Sequence, residues 1–281
     1  MNGKVQGVKQ RLLNISKKQR LDFNLILNRY CAERFLYRLS NSKYVDFLSL
    51  KGASLLYVWS GNMIWATRDI DFMSTVSLDH NDIRIMIIEI MEGASSDMII
   101  FNSDEIVMTD IREQEKYHGV RVKFFGFLGN AKIPCQLDIA FGDSVTSYPE
   151  KHDYPILLDD PKPVLKMYPI ETVIAEKFQI IVSLGMLNSR LKDYFDLWLI
   201  ITTYEIDKKL IVETIKKTFK HRNTDVPVEI PEGLSELFSE DILKIKQWKA
   251  FISRAGIQYD VLDLKSLVEI IRESLMYWAN L

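Results

Sequence analysis

Apolar side chains recur at helical spacing near the start of the chain and then give way to shorter, strand-like runs. Between Asp22 and Leu39 they return every three or four residues, which is the period of one helix face. The run VDFLSL, residues 45–50, predicts a short buried strand, and the small residues KGAS after it predict a tight turn into a helix that begins at LLYVW. The pattern thus predicts a helix followed by a strand, a turn and a second helix.

Alternating apolar and polar residues mark the next part of the chain. The segment IWATRDIDFM predicts a strand, and a helix is predicted over residues 78–92, with Asp79 or a neighbour as its cap. Three further strands are predicted from MIIFNSDEIVMTD, YHGVRVKFFGFLG and AKIPCQLDIAFGD, which glycine, asparagine and charged turn residues separate. Together these segments predict an α/β (α+β) fold with a mixed sheet and flanking helices.

The rest of the chain shows helical periods and no convincing strand. A proline-containing segment, YPEKHDYPILLDDPKPVLKMYP, leads into it. Helices are predicted over residues 170–184, 189–203 and 208–219, with two or more after Pro231. We therefore expect two domains: an α/β domain over residues 1–155 that includes the N-terminal helices, and a helical domain over residues 156–281.

The composition places the chain among folded proteins. Its 281 residues are 47% hydrophobic and 26% charged, which argues against disorder and low-complexity scaffolds. Lys and Arg number 36 against 38 for Asp and Glu, so the net charge of −2 does not indicate a polyanion-binding protein as a whole. Residues 1–20, which predict an amphipathic helix, and residues 208–222 are nevertheless basic. Either stretch could meet a polyanion, although a solvated helix face is the commoner explanation.

Cysteine usage and hydropathy bear on the compartment. Cys31 and Cys135, the two cysteines, lie far apart and outside any C-x-x-C pair, which argues against a disulfide framework or a zinc ribbon and fits a reducing cytoplasm. The N-terminus lacks the apolar stretch of a signal peptide, and no apolar run reaches the roughly 18 residues that suggest a membrane span. We expect a cytoplasmic protein with no membrane partner.

Two aspartates with one residue between them are the strongest candidates for chemistry. Asp69 and Asp71 end a predicted strand, where residues i and i+2 point to the same face, so their carboxylates project together. Such a pair repels unless a cation joins it, and Mg²⁺ takes carboxylate and phosphate oxygens. Asp138, between Leu137 and Ile139, is turned by the same alternation toward the face of the other acids. Ordinary polar residues on a strand are the alternative for all three.

The KGAS turn is a candidate phosphate contact. Gly52, Ala53 and Ser54 allow a phosphate to approach the backbone N–H groups at the start of the following helix. A tight turn without a ligand is the commoner explanation of such a run. The P-loop and dinucleotide-binding glycine patterns are absent, and the four histidines form no local metal-ligand pair.

Charged residues also cluster in the helical part. The segment IETVIAEKF carries Lys177, and SRLKDYFDLW carries Asp193 and Asp196 at the helical spacing i, i+3, with Arg190 and Lys192 nearby. Taken alone, this pattern is typical of a salt-bridged amphipathic helix.

The motifs KGAS, WATRDIDF, QLDIAFGD, IETVIAEKF and SRLKDYFDLW follow one another in a recognisable order. Over roughly residues 45–205, this order and spacing resemble the AbiEii/AbiGii-type toxin family of nucleotidyltransferases, within the DNA-polymerase-β-like superfamily. The resemblance implies that Asp69, Asp71 and Asp138 are catalytic and hold metal ions. It also implies catalytic roles for Lys177 and Asp193, and nucleotide binding or closure of the site by a larger set: Gly52, Ala53, Ser54, Thr67, Arg68, Lys177, Lys192 and Asp196.

The chain departs from the family pattern at three places. Ala53 replaces the second glycine of the turn, and Trp65 replaces an arginine that is often found before the paired acids. Gln136 replaces a basic residue that commonly stands two positions before the third acid, which removes a positive charge from near the phosphates.

The resemblance implies a nucleotidyl transfer: an NTP gives its nucleoside monophosphate to an acceptor and releases pyrophosphate. It implies Mg²⁺ as cofactor, two ions in number with Mn²⁺ as a substitute, bound where the helical domain completes the nucleotide cleft. It also implies an RNA acceptor such as tRNA, and a toxin of a toxin–antitoxin or abortive-infection system with a genetically linked antitoxin that need not touch it. The alternatives are transfer to a small molecule or a protein, and an inactive nucleotide-binding protein.

Overall fold

The computed structural model describes residues 2–52, 54–60, 69–113, 117–141, 149–255 and 262–281. The chain forms two compact units. The first holds the described residues up to Phe141 together with Pro149–Met167, and the second holds Tyr168–Leu281. The α/β part and the helical part of the sequence are therefore separate structural units.

The described helices of the first unit are α1 (Asn2–Gln19), α2 (Phe23–Ser40), α3 (Ser54–Ser60) and α4 (His80–Met91). Aspartate caps begin two of them. The carboxylate of Asp22 accepts the backbone N–H of Asn24 at 2.9 Å, and that of Asp79 accepts the N–H of Asp82 at 2.8 Å. The predicted cap at Asp79 and the predicted N-terminal helix are both confirmed.

The strands of the first unit are β1 (Leu48–Lys51), β2 (Asp69–Ser74), β3 (Ile99–Glu113), β4 (Tyr117–Leu128), β5 (Ala131–Phe141), β6 (Glu150–Asp153) and β7 (Val164–Met167). They form one sheet in the order β3-β4-β5-β2-β1-β7-β6. The pairs β2–β5 and β1–β7 are parallel, and the other neighbours are antiparallel. The predicted mixed sheet is confirmed.

Two of these strands, β6 and β7, lie in the proline-containing segment, for which the sequence pattern predicts a connection and no strand. Strand β7 pairs with β1, with Ser49 beside Lys166 and Leu50 beside Met167, and β6 pairs with β7 at the sheet edge. The first unit therefore reaches Met167, and residues 156–167, which the sequence pattern places in the helical domain, belong to the sheet unit. Each strand has four residues, too few for a recognisable alternation.

The layer between α2 and the sheet contains both cysteines. The Sγ atom of Cys31 on α2 lies 3.3 Å from that of Cys135 on β5, and both thiols are free and buried. Gly126 on β4 makes room for them, because a Cβ atom there would lie 2.3 Å from the Sγ atom of Cys31. Two residues that are remote in the sequence thus meet in the core.

The second unit is built from the helices α5 (Ile170–Leu184), α6 (Leu191–Thr203), α7 (Lys208–His221), α8 (Glu236–Ser239), α9 (Ile242–Ala255) and α10 (Leu264–Ala279). Helices α5 and α10 both pack against α6 and α7. The carboxylates of Asp207 and Asp263 cap α7 and α10. The helices predicted after residue 170 are confirmed. Across the described ranges, no helix has the length and apolar character needed to cross a bilayer.

Candidate active site

The three aspartates of the predicted site lie side by side on two neighbouring strands. The parallel register of β2 and β5 places Asp71 beside Asp138 and Asp69 beside Gln136. Side chains alternate between the faces of a sheet, and residues in register on adjacent strands share a face, so the three carboxylates project from the same side. Ile70 is buried on the opposite face, as alternation requires. The predicted grouping of the acids is confirmed, while their role as ligands stays a prediction.

The turn after β1 lies directly against one of these acids. Gly52 has a φ of +69°, which other residues rarely adopt, and a Cβ atom there would lie 2.1 Å from an oxygen of Asp71. Ser54 is buried at the first position of α3. The backbone therefore approaches the acids closely here, and only glycine permits that approach. The other candidates in this part of the sequence, Ala53, Trp65, Thr67 and Arg68, lie outside the described residues.

The candidate residues of the second unit form a buried ionic cluster. The Lys177 ammonium group on α5 donates to Asp193 and, at 2.8 Å, to Asp196, both on α6. The guanidinium group of Arg190 donates to the second oxygen of Asp193 at 2.7 Å. Asp193 and Asp196 are only 3% and 1% exposed, so these charges depend on one another. Lys192 is half-buried on the same helix.

Burial and charge pairing act against each other in this cluster. Burial alone would lower the pKa of Lys177, but the two carboxylates outweigh it and hold that pKa above its ordinary value. Burial would raise the pKa of Asp193, yet Lys177 and Arg190 hold it below its ordinary value. For Asp196 burial prevails over Lys177, and its pKa is raised. Lys177 therefore stays a cation, and Asp196 is the carboxylate with the stronger tendency to take a proton.

Comparison with known proteins identifies the family. A profile described as nucleotidyl transferase AbiEii toxin, Type IV TA system, matches residues 34–262. The chain belongs to the AbiEii nucleotidyltransferase toxin family. Membership makes this AbiEii protein a nucleotidyltransferase, and it implies an antitoxin partner, because the family is one of toxin–antitoxin systems.

Two solved structures from Helicobacter pylori share the fold of this AbiEii protein. One, a provisionally assigned nucleotidyltransferase, has a TM-score of 0.51 at 13% identity, over 92% of this chain and 98% of its own. The other, JHP933, has a TM-score of 0.53 at 13% identity, over 92% of this chain and 95% of its own. A search of curated protein sequences finds no significant match.

Two basic residues flank the acids of the AbiEii protein and were missed by sequence reasoning. Lys51 on β1 is in register with Asp71, and Arg121 on β4 is in register with Asp138. The row across β1, β2, β5 and β4 thus reads cation, acid, acid, cation. The alternation in VRVKF puts Arg121 opposite its buried neighbours, but the register that brings it to Asp138 is not readable from sequence.

Arg121 holds Asp138 with a two-pronged ion pair. Its Nε atom donates to one carboxylate oxygen at 2.9 Å and its Nη2 atom to the other at 2.7 Å. The amide of Gln136 adds a longer hydrogen bond of 3.3 Å to the same carboxylate. The hydrogen bonds to Asp138 are the main cause that raises the pKa of Arg121, and the charges of Asp69 and Asp71 add to it. The positive charge that Gln136 lacks is therefore supplied from the neighbouring strand.

The donor set fits a hard cation at two of the three acids. Asp69 and Asp71 offer carboxylate oxygens on one face of β2, the ligand type that Mg²⁺ prefers. Asp138 differs from that pair in this arrangement, because the positive charge of Arg121 lies against its carboxylate. Among the residues that the structure describes, no group of three or more His, Cys, Asp and Glu side chains is arranged to hold a metal ion.

Proposed function

We propose that this AbiEii nucleotidyltransferase transfers a nucleoside monophosphate from an NTP to an RNA acceptor, tRNA among the candidates, with Mg²⁺ held by Asp69 and Asp71, and that this transfer is its toxic activity. The observation that carries the proposal is the row of acids in register on β2 and β5, directly against the Gly52 turn. Neighbouring carboxylates are costly without a cation. Family membership makes the chain a nucleotidyltransferase, which supports assigning that chemistry to this site.

The reaction would be an in-line displacement at phosphorus. An acceptor hydroxyl oxygen forms a bond to the α-phosphorus, the bond from that phosphorus to the bridging oxygen breaks, and pyrophosphate leaves. The hydroxyl proton passes to a carboxylate of the protein or to water. Bound Mg²⁺ would neutralise phosphate charge and favour the deprotonated acceptor. Lys177, Lys192 and Arg68 are proposed to steady the triphosphate, and Asp193 and Asp196 to position the Lys177 ammonium group.

Two exposed basic faces support an RNA acceptor. On α1, Val8 and Leu12 are buried while most of the basic residues are exposed. On α7, Ile211 and Phe219 are buried while Lys216, Lys217 and Lys220 are exposed. Each helix therefore uses its apolar face for packing and presents positive charge to solvent, as polyanion binding requires.

A labelling assay tests the proposal. Purified protein is incubated with labelled NTPs, Mg²⁺ and total RNA, and the wild type is compared with Asp71→Asn. We expect RNA to be labelled by the wild type, and labelling to fall by roughly 100-fold or more in the variant, as when a group that stabilises transition-state charge is removed. Asp104→Asn, which alters an exposed aspartate on β3, is the matched control and should label normally. Expression should slow growth, and Asp69→Ala should relieve that effect.

The same assay separates the alternatives. Label on a small molecule or on protein, with none on RNA, would replace RNA by that acceptor. If calorimetry detects NTP binding but no acceptor is labelled and no pyrophosphate is released, the protein is an inactive nucleotide-binding protein and the transfer proposal fails.

A further inference from the structure

Both oxygens of Asp138 accept hydrogen bonds from Arg121 although Asp138 is the third acid of the candidate site. Arg121 donates one hydrogen bond to each of its oxygens, at 2.9 and 2.7 Å. Gln136 donates to one of them as well, at 3.3 Å. A metal ion bound there would lie next to the guanidinium group, whose positive charge repels it and already neutralises the carboxylate. The resemblance to the family implies two metal ions on three acids, whereas this arrangement places the third acid in an ion pair.

Arg121 lies beside the row of acids in the candidate site, so it is more than one member of an isolated surface ion pair. Neighbouring strands lie about 4.8 Å apart, so Asp71 and Asp138, in register, form an adjacent pair of negative charges. Arg121 is the next residue in that row. Asp71 stands beyond Asp138 in the same row, and Asp69 lies two residues from Asp71 on the same face, so Arg121 is on the face that carries all three acids. A single positive charge here offsets the repulsion that a metal ion would otherwise have to offset.

Accessibility distinguishes this pair from a buried structural one. The side chain of Arg121 is 38% exposed and that of Asp138 is 17% exposed. Arg121 therefore lies where solvent, ions and phosphates can reach it. The two-pronged geometry nevertheless fixes the orientation of the carboxylate, because each oxygen accepts its own hydrogen bond from the guanidinium group.

We propose that Arg121 stands in for a second metal ion, so that Asp138 is not a metal ligand. The protein then binds one divalent cation, at Asp69 and Asp71. This inference rests on the proposed function in one respect, the assignment of that pair as the metal site. Arg121 is thereby a positioning residue, which holds the third acid and supplies the positive charge beside it.

Titration of the purified full-length protein with Mn²⁺ alone tests the inference, with the electron paramagnetic resonance signal of free Mn²⁺ as the readout. We expect one ion per wild-type chain, lost in Asp71→Asn. In Arg121→Gln, Asp138 is released and a positive charge is lost, so the chain should bind a second ion or bind the first about tenfold more tightly or better. Arg121→Lys should restore the single ion. Arg84→Gln, which removes an exposed arginine of α4, should leave the titration unchanged.

A charge-matched double variant keeps the inference open to refutation. Arg121→Gln combined with Asp138→Asn has the net charge of the wild type and no carboxylate at position 138. We expect it to bind one ion with wild-type affinity. Loss of Mn²⁺ binding in a double variant whose melting temperature is that of the wild type would show that Asp138 is a ligand and would overturn the inference. Two ions, or none, on the wild type would do the same.

The outcome is independent of the labelling assay. Mn²⁺ binding needs neither nucleotide nor RNA, so a protein that labels nothing can still show one ion in the wild type and two in Arg121→Gln. Conversely, RNA labelling by a protein with two wild-type ions would retain the proposed function and refute the role of Arg121.

Discussion

Replacing Lys177 with methionine tests whether this lysine holds the helical unit together as well as serving the proposed chemistry. Methionine keeps the length and most of the apolar volume of lysine, so the change removes mainly the charge and its hydrogen bonds. In the variant, Asp193 keeps its hydrogen bond from Arg190 at 2.7 Å. The buried carboxylate of Asp196 loses its hydrogen bond from Lys177, and the other oxygen of Asp196 has no hydrogen-bond partner among the described residues.

The magnitude follows from the burial of these groups. Removing one member of a buried ion pair costs about 3–5 kcal/mol, because the remaining charge has lost its compensation inside the protein. At about 2–4 °C per kcal/mol, we expect the melting temperature of Lys177→Met to fall by roughly 10 °C. Lys217→Met is the matched control. That lysine is 57% exposed and 3.9 Å from Glu213, so its removal should change stability by no more than about 0.5 kcal/mol.

Thermal and urea unfolding, followed by circular dichroism, measure both variants. A double variant that adds Asp196→Asn removes the uncompensated charge, so it should be more stable than Lys177→Met alone, with a coupling energy of about 1–3 kcal/mol. The reasoning is refuted if Lys177→Met melts within the range of the Lys217→Met control, or if the double variant shows no coupling.

Three further predictions concern the turn, a buried glutamate and the basic helix. In Gly52→Ala, the added Cβ atom would lie 2.1 Å from an oxygen of Asp71 at a φ of +69°, so we expect a stability loss of about 1–2 kcal/mol or more and loss of RNA labelling. Near-wild-type activity and melting temperature would contradict this. Burial raises the pKa of Glu33 to about 7 from its ordinary 4.5, so the folded protein binds this proton more tightly than the unfolded chain. Stability should therefore fall by about 3 kcal/mol as pH rises from 4.5 to 7, and Glu33→Gln should flatten that slope in urea titrations. The pair Lys216→Glu and Lys220→Glu on α7 should weaken RNA labelling and reduce its salt dependence without lowering the melting temperature, and unchanged salt dependence would exclude this face.

The helices and the grouping of the acids could be predicted because their signals are local. The period of three to four residues in IETVIAEKF and LKDYFDLW lies within single helices, and α5 and α6 form there. Asp69 and Asp71 share a face through the geometry of one strand, and alternation gives the face of Asp138 on its own strand. A few neighbouring residues contain this information, whereas the register that brings the two strands together is not local.

The cations and the edge strands could not be predicted because their signals are not local. Arg121 reaches Asp138 only through the register of β4 and β5, which depends on the turn between the strands and on packing. Strand β7 exists because it pairs with β1, more than a hundred residues earlier in the chain. The contact of Cys31 with Cys135 likewise needs the packing of α2 on β5. Pairing across long sequence separations leaves no period to read.

The strand order also has a consequence for synthesis of the protein. Strands β2 and β5 are spatial neighbours, yet the whole of β3 and β4 lies between them in the chain. A growing polypeptide therefore contains Asp69, Asp71 and Arg121 before Asp138, and the acids become neighbours only when β5 has been made and has paired with β2. Contacts between distant parts of a chain form late in folding, because the intervening loop must be closed first. The nascent chain of this toxin-family protein consequently has no complete acid row, and the row forms only once the sheet has folded.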